Sequence, residues 1–171
     1  MRERHPDALL ILVPRHPQRF EAVRALLRKG GGEFASRSSG DEPAARHGVF
    51  LVDTLGELQM FYAAADVAFV AGSLVPIGGH SLLEPAVLGL PILSGPHTHN
   101  GREIADQLLG SGALAIVRDA GELAQRVAGC FDEPARARAD GARGREAVAQ
   151  SRGAVGRLVA MLEPLLSPPG G

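Results

Sequence analysis

Four short apolar runs of this chain are each followed by residues that could bind an anionic or sugar ligand. Arg15 and His16 follow the first run. An arginine just past a strand end offers a fork of donors that suits a phosphate. Pro17 is well placed as the first residue of the next helix. From position alone, Arg15 is equally well interpreted as a surface cation, and His16 as a helix cap.

The second set, residues 53–58, contains a predicted helix start. Thr54 and Glu57 have the spacing of a capping box, which predicts that they cap this helix. The same start leaves backbone N–H groups unbonded at the positive end of the helix dipole. Gly56 would let a phosphate approach them closely, so a cap and a phosphate site are compatible here.

The third set, residues 72–85, is the most informative one. A glycine-rich loop that leaves a strand and enters a helix brings backbone against an anionic ligand. Because Pro85 has no N–H and belongs in the first turn, we predict a helix start near His80 or Ser81. Glu84 would then lie at the mouth of the ligand crevice, where a carboxylate can accept two hydrogen bonds from a ribose diol. The alternative is that Ser81 and Glu84 form a second capping box.

The fourth set lies before the next predicted helix and contains two histidines, His97 and His99. A metal site would also require a cysteine or a carboxylate at ligand spacing, and the sequence places neither nearby. We therefore predict neither a metal nor a cofactor. These loop residues are expected to line the crevice, with Asn100 as a helix cap.

Short apolar runs alternate with helical patterns along the chain. The predicted strands are residues 9–13, 49–52, 67–70, 91–93 and 114–117. The predicted helices between them are residues 18–28, 55–64, 81–88, 102–109 and 120–131. Strands that are apolar at every residue are typical of a parallel sheet covered on both faces, so the predicted class is α/β with a Rossmann-like, doubly wound parallel sheet.

Two segments depart from this alternation. Residues 30–47 are predicted to be a loop with one short edge strand near Phe34. Beyond Asp132 we predict two helices, residues 134–150 and 154–166, and a frayed tail over residues 167–171.

Composition favours a single packed domain over residues 1–171, with its core at about 8–166. Hydrophobic residues make up 45% of the chain, and the formal net charge is −1 with no basic stripe. These values argue against a disordered tail and against nucleic-acid binding. The single cysteine, Cys130, excludes an internal disulfide and is interpreted as a small buried hydrophobe. We find neither a secretory signal nor an apolar stretch near the ~20 residues of a membrane span.

Five motifs, taken in order, resemble those of a known family. They are residues 14–17, 56–58, 72–76, 78–85 and 95–98. From about residue 8 to residue 166, the chain resembles the C-terminal half of bacterial 3-deoxy-D-manno-octulosonic acid (Kdo) transferases. The resemblance implies the C-terminal half of a two-domain GT-B glycosyltransferase fold. It also implies that this half binds CMP-Kdo, in an enzyme that adds Kdo to a lipid A precursor in lipopolysaccharide biosynthesis.

The resemblance places such an enzyme at the cytoplasmic face of the bacterial inner membrane. The acceptor site and the catalytic base would lie on an N-terminal domain that we expect to be absent here. This fragment is accordingly expected to be soluble and cytoplasmic, to contact membrane and acceptor only through the missing half, and to transfer nothing alone.

The resemblance also implies roles for single residues. Arg15 would face the CMP phosphate or the sugar carboxylate, and Glu84 would meet the ribose together with the position of Ser81. The family commonly has Asn where Ser81 stands, and a hydroxyl has a shorter reach than an amide. The backbone of residues 56–58 would hold the phosphate. The implied donor-binding set is Arg15, His16, Gly56, Glu57, Leu58, Gly78, Gly79, His80, Ser81 and Glu84.

Other functions fit the same residues. One is the donor domain of a different GT-B transferase or of a sugar epimerase, using a UDP- or ADP-sugar. Competition between CMP, UDP and ADP would separate these, since they differ in the base. Another is a non-catalytic nucleotide-binding or interaction module, and a third is a purely structural domain, which predicts no stabilisation by any nucleotide.

Overall fold

The computed structural model describes residues 4–44 and 46–166. Its strands are β1 (Leu10–Leu12), β2 (Phe34–Ser36), β3 (Val49–Leu51), β4 (Ala68–Val70), β5 (Ile92–Ser94) and β6 (Leu114–Ile116). Its α-helices are α1 (Phe20–Lys29), α2 (Leu58–Ala63), α3 (Leu83–Val87), α4 (Arg102–Ser111), α5 (Ala120–Asp132) and α6 (Pro134–Leu166). Short 3₁₀ turns, Pro17–Arg19 and His99–Gly101, precede α1 and α4.

The chain forms two compact units, Met1–Ala64 (unit 1) and Ala65–Gly171 (unit 2). Every strand pair in both units is parallel. The predicted α/β class with parallel sheets is therefore confirmed. That the whole chain acts as one nucleotide-sugar-binding domain stays a prediction.

Unit 1 contains a three-stranded sheet in the order β1-β3-β2. Its core contains Ala35, Phe50 and Val52, and the rings of Phe50 and Phe61 meet edge to face with centroids 5.8 Å apart. β1 is apolar throughout, yet its first residue, Leu10, is 55% exposed. A continuous apolar run thus did not guarantee a strand that is covered on both faces.

Unit 2 contains a second three-stranded sheet, in the order β4-β5-β6, against which helices pack. Its core cluster is Val70, Leu82, Ala86, Ile92, Ala105, Leu108, Ala113, Leu114 and Val148. The long helix α6 contacts α3, α4 and α5. A Cβ at Gly141 of α6 would lie 1.9 Å from the carbonyl oxygen of Gly89, so only glycine permits this approach.

Most predicted elements are present, including the short strand β2 near Phe34. The predicted pair of C-terminal helices is wrong, because the chain from Pro134 to Leu166 is one continuous helix. Gly153 had suggested a break. A glycine inside a helix costs about 1 kcal/mol relative to alanine but keeps its N–H, so it weakens a helix without ending it. The predicted tail at residues 167–171 lies outside the described residues.

The expectation about membrane spans concerns helix length and polarity. Over residues 4–44 and 46–166, no helix combines the length and the apolar character that crossing a membrane requires.

Candidate functional site

The candidate residues of unit 1 lie at one edge of its sheet. Because the strands are parallel, their carboxyl ends point to the same side, where α/β folds bind ligands. Arg15 and His16 follow β1, Arg37 follows β2, and residues 53–58 follow β3. Sequence reasoning identified the first and third of these segments but missed the contribution of β2.

Arg15 and His16 are both exposed just beyond β1. His16 occupies the N-cap position of the Pro17–Arg19 turn, where its backbone carbonyl accepts a hydrogen bond from the N–H of Arg19 at 2.9 Å. The His16 side chain makes no capping hydrogen bond, and Pro17 is the first residue of the turn, as predicted. Both residues are therefore accessible at the carboxyl end of β1.

The predicted capping box at Thr54 and Glu57 is wrong. Helix α2 begins at Leu58 with Glu57 at its N-cap position, and no side chain caps it. The Glu57 carboxylate instead accepts three hydrogen bonds from the Arg37 guanidinium, at 2.7, 3.1 and 3.2 Å, and one from the Thr54 hydroxyl. A charged guanidinium fork binds a carboxylate more strongly than a neutral backbone N–H does, so Arg37 wins the competition.

This pairing changes the electrostatics at the start of α2. The hydrogen bonds from Arg37, and then the one from Thr54, lower the pKa of Glu57 below its usual value. Glu57 is therefore ionised at neutral pH, but its charge lies against a cation. An unpaired carboxylate at this position would repel a phosphate approaching Gly56, whose φ of +84° turns the chain into the helix.

Asp53, directly after β3, is a buried carboxylate that sequence reasoning did not single out. It accepts hydrogen bonds from the Ser36 hydroxyl at 2.9 and 3.1 Å, from the backbone N–H of Ser38 at 2.9 Å, from the Ser38 hydroxyl at 2.8 Å, and from the Arg24 guanidinium. Burial alone would raise the pKa of Asp53. The hydrogen bonds from Ser38, Arg24 and Ser36 outweigh burial and hold that pKa at about 2.

The Asp53 network joins α1 to the ends of β2 and β3. Ser36 and Ser38 are both bound to Asp53, so Arg37 between them is held with its side chain directed toward Glu57. The one local sign of this network is an acidic residue immediately after a fully apolar strand, and it was not used in the prediction. Its partners lie 15 to 29 residues away and carry no local pattern.

In unit 2 the glycine-rich loop after β4 turns on three residues with positive φ, Gly72, Gly78 and Gly79. The N–H of Gly79 donates to the carbonyl oxygen of Gly72 at 2.9 Å, which closes the loop. A Cβ at Gly72 would lie 3.2 Å from Nε2 of His80, so the imidazole ring packs closely over this glycine. The predicted glycine loop between a strand and a helix is confirmed.

Ser73 connects this loop to the loop after β5. Its fully buried hydroxyl donates to the carbonyl of Val70 at 2.8 Å and accepts from the N–H of Gly95 at 2.7 Å. Its carbonyl accepts from the N–H of His97 at 3.0 Å. A Cβ at Gly95 would lie 2.2 Å from the Ser73 carbonyl oxygen, so the two loops touch backbone to backbone. Sequence reasoning gave neither Ser73 nor Gly95 this role.

The predicted role of Asn100 as a helix cap is wrong. Helix α4 begins at Arg102 with Gly101 at its N-cap position, and no side chain caps it. The Asn100 amide nitrogen instead donates to the carbonyls of Ile77 at 3.2 Å and Gly79 at 3.3 Å. The Asn100 amide thus binds two carbonyl groups of the glycine loop. The sequence around Asn100 contains no pattern that predicts these hydrogen bonds.

Helix α3 begins at Leu83, two to three residues later than predicted. Pro85 still lies in the first turn, where a missing N–H costs nothing. The alternative capping box is also wrong, because Leu82 occupies the N-cap position and no side chain caps the helix. Glu84 is half-buried in the first turn and Ser81 is exposed. Residues 78–84 therefore form one continuous segment that leads from the loop into α3.

No group of three or more His, Cys, Asp or Glu side chains in the described part of the chain is arranged to hold a metal ion. Unit 1 offers the guanidinium groups of Arg15 and Arg37 and the backbone N–H groups at the start of α2, and unit 2 by itself offers the carboxylate of Glu84. These groups suit a ligand that carries anionic groups and hydroxyls.

Comparison with known proteins gives consistent results. No protein-family model matches the chain. It is 39% identical over 164 residues to the 3-deoxy-D-manno-octulosonic acid transferase of Haemophilus influenzae, and 40% identical over 162 residues to that of Bordetella pertussis. These alignments cover 95% and 94% of the chain, which spans 38% of the length of each relative.

A solved structure is similar in both fold and sequence. The crystal structure of the C-terminal CMP-Kdo binding domain of WaaA from Acinetobacter baumannii superimposes with a TM-score of 0.82 at 34% identity. The match covers 86% of this chain and 77% of that one. The chain therefore belongs to the 3-deoxy-D-manno-octulosonic acid transferase family of glycosyltransferases and has the fold of that family's C-terminal domain.

Proposed function

We propose that this chain binds CMP-Kdo and is the donor-binding half of a Kdo transferase. The observation that carries the proposal is the similarity to the CMP-Kdo binding domain from A. baumannii, with a TM-score of 0.82 at 34% identity. The position of the candidate residues supports it, since they follow the carboxyl ends of parallel strands in both units.

In unit 1 we assign the residues that bind the anionic groups of the donor. Arg15 faces the CMP phosphate or the sugar carboxylate, and His16 lies beside it. The backbone N–H groups of Gly56, Glu57 and Leu58 hold the phosphate. This assignment is supported by the exposure of Arg15, by the absence of a side-chain cap on α2, and by the engagement of the Glu57 carboxylate with Arg37.

In unit 2 we assign the residues that bind the nucleoside. The Glu84 carboxylate accepts hydrogen bonds from the ribose hydroxyls, and the Ser81 hydroxyl bonds a ribose oxygen. We also assign Gly78, Gly79 and His80 of the glycine-rich loop; both glycines are buried, and this segment leads directly to Ser81 and Glu84. The half-buried position of Glu84 in the first turn of α3 supports this role.

The reaction we propose for the whole protein is transfer of Kdo to a lipid A precursor in lipopolysaccharide biosynthesis, at the cytoplasmic face of the inner membrane. A hydroxyl of the acceptor attacks the anomeric carbon, a base removes the proton of that hydroxyl, and the bond to the CMP phosphate breaks. The leaving phosphate is stabilised by Arg15 and by the N–H groups at the start of α2.

The acceptor site and the base belong, in this proposal, to the part of the relatives that this chain does not span. The chain alone is therefore expected to transfer no Kdo. Transfer of Kdo to a lipid A precursor with this chain as the sole protein, detected by mass spectrometry of the acceptor, would contradict this division of labour.

The donor proposal is tested by thermal unfolding of the chain with millimolar CMP, UMP or ADP. A ligand at 100 times its Kd adds about 2.7 kcal/mol of stability, which raises the Tm by several degrees for a domain of this size. We expect CMP to stabilise the chain selectively. Selective stabilisation by UMP or ADP would instead indicate a transferase or epimerase with a different donor.

Matched variants separate specific from general effects in this experiment. Arg15→Ala and Glu84→Ala should abolish the shift produced by CMP. The controls are Arg46→Ala in unit 1 and Glu103→Ala in unit 2, which remove exposed charges outside the assigned set. Both controls should retain the shift, and an equal loss in assigned and control variants would count against the residue assignments.

A further inference from the structure

Asn100 binds three successive carbonyl groups of the glycine loop. Its side-chain amide nitrogen donates to Ile77 at 3.2 Å and to Gly79 at 3.3 Å, and its backbone N–H donates to Gly78 at 3.1 Å. A primary amide has two N–H donors, and both are used here. One residue after β5 therefore fixes the orientation of three consecutive peptide groups after β4.

The packing at Gly78 shows how closely Asn100 approaches the loop. A Cβ at Gly78 would lie 2.4 to 2.6 Å from the three atoms of the Asn100 amide. Gly78 is buried and has a φ of +104°, a conformation that suits glycine. The Asn100 amide thus occupies the space that a side chain at Gly78 would fill.

The bound carbonyls determine where the opposite sides of the same peptide groups point. In a trans peptide, the N–H lies opposite the carbonyl of the preceding residue. The N–H groups of Gly78, Gly79 and His80 are accordingly directed away from Asn100, and that of Gly79 reaches the carbonyl of Gly72 at 2.9 Å. The backbone of the loop therefore has a defined orientation where it passes Asn100, before it continues into α3.

Helix α3 is held by its buried residues Leu82, Pro85 and Ala86, and the loop before it sets the path of residues 78–81 that lead to Glu84. We infer that Asn100 is a positioning residue for donor binding. Asn100 is assigned no contact with the nucleotide; it orients the peptide groups of the glycine loop, and with them the segment that leads to His80 and Ser81, for the donor. This inference rests on the proposed function, because the donor defines what the loop is positioned for.

The test uses an isosteric substitution with a matched control in the same unit. Asn100→Asp replaces the amide donors with a carboxylate that faces two carbonyl oxygens and cannot donate to them at neutral pH. Gln107→Glu makes the same chemical change elsewhere, because the Gln107 amide donates to the carbonyl of Ala147 at 2.7 Å and to the Ser151 hydroxyl at 2.6 Å. Both variants lose amide hydrogen bonds, but only one of them contacts the glycine loop.

Two readouts distinguish positioning from general stability. The first is hydrogen exchange at the N–H of Gly79, followed by NMR, which we expect to become on the order of tenfold faster in Asn100→Asp than in Gln107→Glu. The second is the Kd for CMP from calorimetry at a temperature where both variants are folded. We expect a rise of about tenfold in Asn100→Asp and no change in Gln107→Glu.

Each possible result has a consequence. Equal Gly79 exchange in the two variants, or an unchanged Kd for CMP in Asn100→Asp, would overturn the inference. Should Asn100→Asp fail to fold, Asn100→Ser retains one shorter donor and is expected to show smaller changes in the same direction. Failure of the unsubstituted chain to bind CMP would instead overturn the proposed function. The rate of hydrogen exchange at the Gly79 N–H would then be the one remaining test of whether Asn100 holds the conformation of the glycine loop.

Discussion

In unit 1 the candidate residues are held by charged side chains, whereas in unit 2 they are held by backbone groups and neutral side chains. Asp53, Arg24, Arg37 and Glu57 connect α1 to the ends of β2 and β3 in unit 1. In unit 2, two neutral side chains and close backbone contacts connect the loops after β4 and β5. The stability of unit 1 should therefore depend on pH and salt, whereas the stability of unit 2 should depend on the size of the side chains at its loop contacts.

This difference suits the ligand groups that we assign to each unit. A phosphate is bound by cations and N–H groups, so the charges around it must be balanced, and the Arg37–Glu57 pair does this. A ribose is neutral and is recognised by the positions of a few hydrogen-bonding groups. Exact placement of backbone then matters more than net charge.

The largest expected loss of stability comes from adding volume at a loop contact in unit 2. Gly95→Ala places a methyl group 2.2 Å from the Ser73 carbonyl oxygen, and neither backbone segment can move independently of its strand. We expect this substitution to destabilise the chain by about 3 kcal/mol. Urea denaturation measures it.

Gly129→Ala in α5 is the matched control, because a Cβ there meets nothing within 4 Å. In a helix interior this substitution should be neutral or stabilise by about 0.5 to 1 kcal/mol. Equal destabilisation by Gly95→Ala and Gly129→Ala would show that the contact between the two loops is not what holds unit 2.

A smaller effect is expected from acid in unit 1. The pKa of Asp53 is about 2 in the folded chain against 3.8 ordinarily, so the unfolded chain binds more protons between these values. The resulting stability is fully present above about pH 5 and is lost as the pH falls toward 2. The lowered pKa of Asp53 corresponds to a stabilisation on the order of 2 kcal/mol.

The measurement is urea denaturation of the chain between pH 7 and pH 2, compared with Asp53→Asn. The variant should be less stable at pH 7, because Arg24 loses its buried anionic partner, and its stability should depend less on pH between 5 and 2. Parallel pH profiles for the two proteins would rule out Asp53 as the acid-sensitive group.

The smallest effect on stability is expected from the exposed Arg37–Glu57 pair. Arg37→Ala should lower the Tm only slightly, and high salt should reduce the difference, because exposed ion pairs are weak and screened. The same substitution leaves the Glu57 carboxylate unbalanced near the assigned phosphate site. We therefore expect Arg37→Ala to raise the Kd for CMP clearly, although it lowers the Tm only slightly.

Arg46→Ala is the control, since it removes another exposed ion pair of unit 1, that with Glu33. It should lower the Tm by a similar small amount without changing the Kd for CMP. Equal Kd values for the two variants would show that the charge balance at Glu57 does not affect the ligand. The ion pairs of unit 1 would then contribute to stability but not to ligand binding.

The sequence predicted the elements more reliably than the contacts between them. Five of the six strands follow from short apolar runs, and β2 was expected only as a short edge strand near Phe34 within a loop. Pro17 and Pro85 lie in the first turns of their helices because proline lacks an N–H. Both capping boxes were wrong. Capping is a competition for a side chain, and at Glu57 the competitor, Arg37, comes from a segment 20 residues away.

The candidate site was predicted to a similar extent. The motifs identified the segments after β1, β3, β4 and β5 that carry the candidate residues. They gave no indication that Asp53, Ser73 or Asn100 joins these segments. Each of these residues binds partners at least 15 residues away, and its own neighbours in the sequence do not reveal those partners.

The sequence by itself determined the α/β class, the places where strands end, the glycines that allow the loop after β4, and the resemblance to Kdo transferases. These features depend on local polarity, on backbone freedom and on motifs, and each of these is a property of residues that are consecutive in the chain. Only the tertiary structure decided that Arg37 takes Glu57 away from its helix, that Asp53 is a buried anion, and that Asn100 binds the glycine loop. Such hydrogen bonds are set by which strand ends become neighbours, because folding brings together groups that are far apart in the chain.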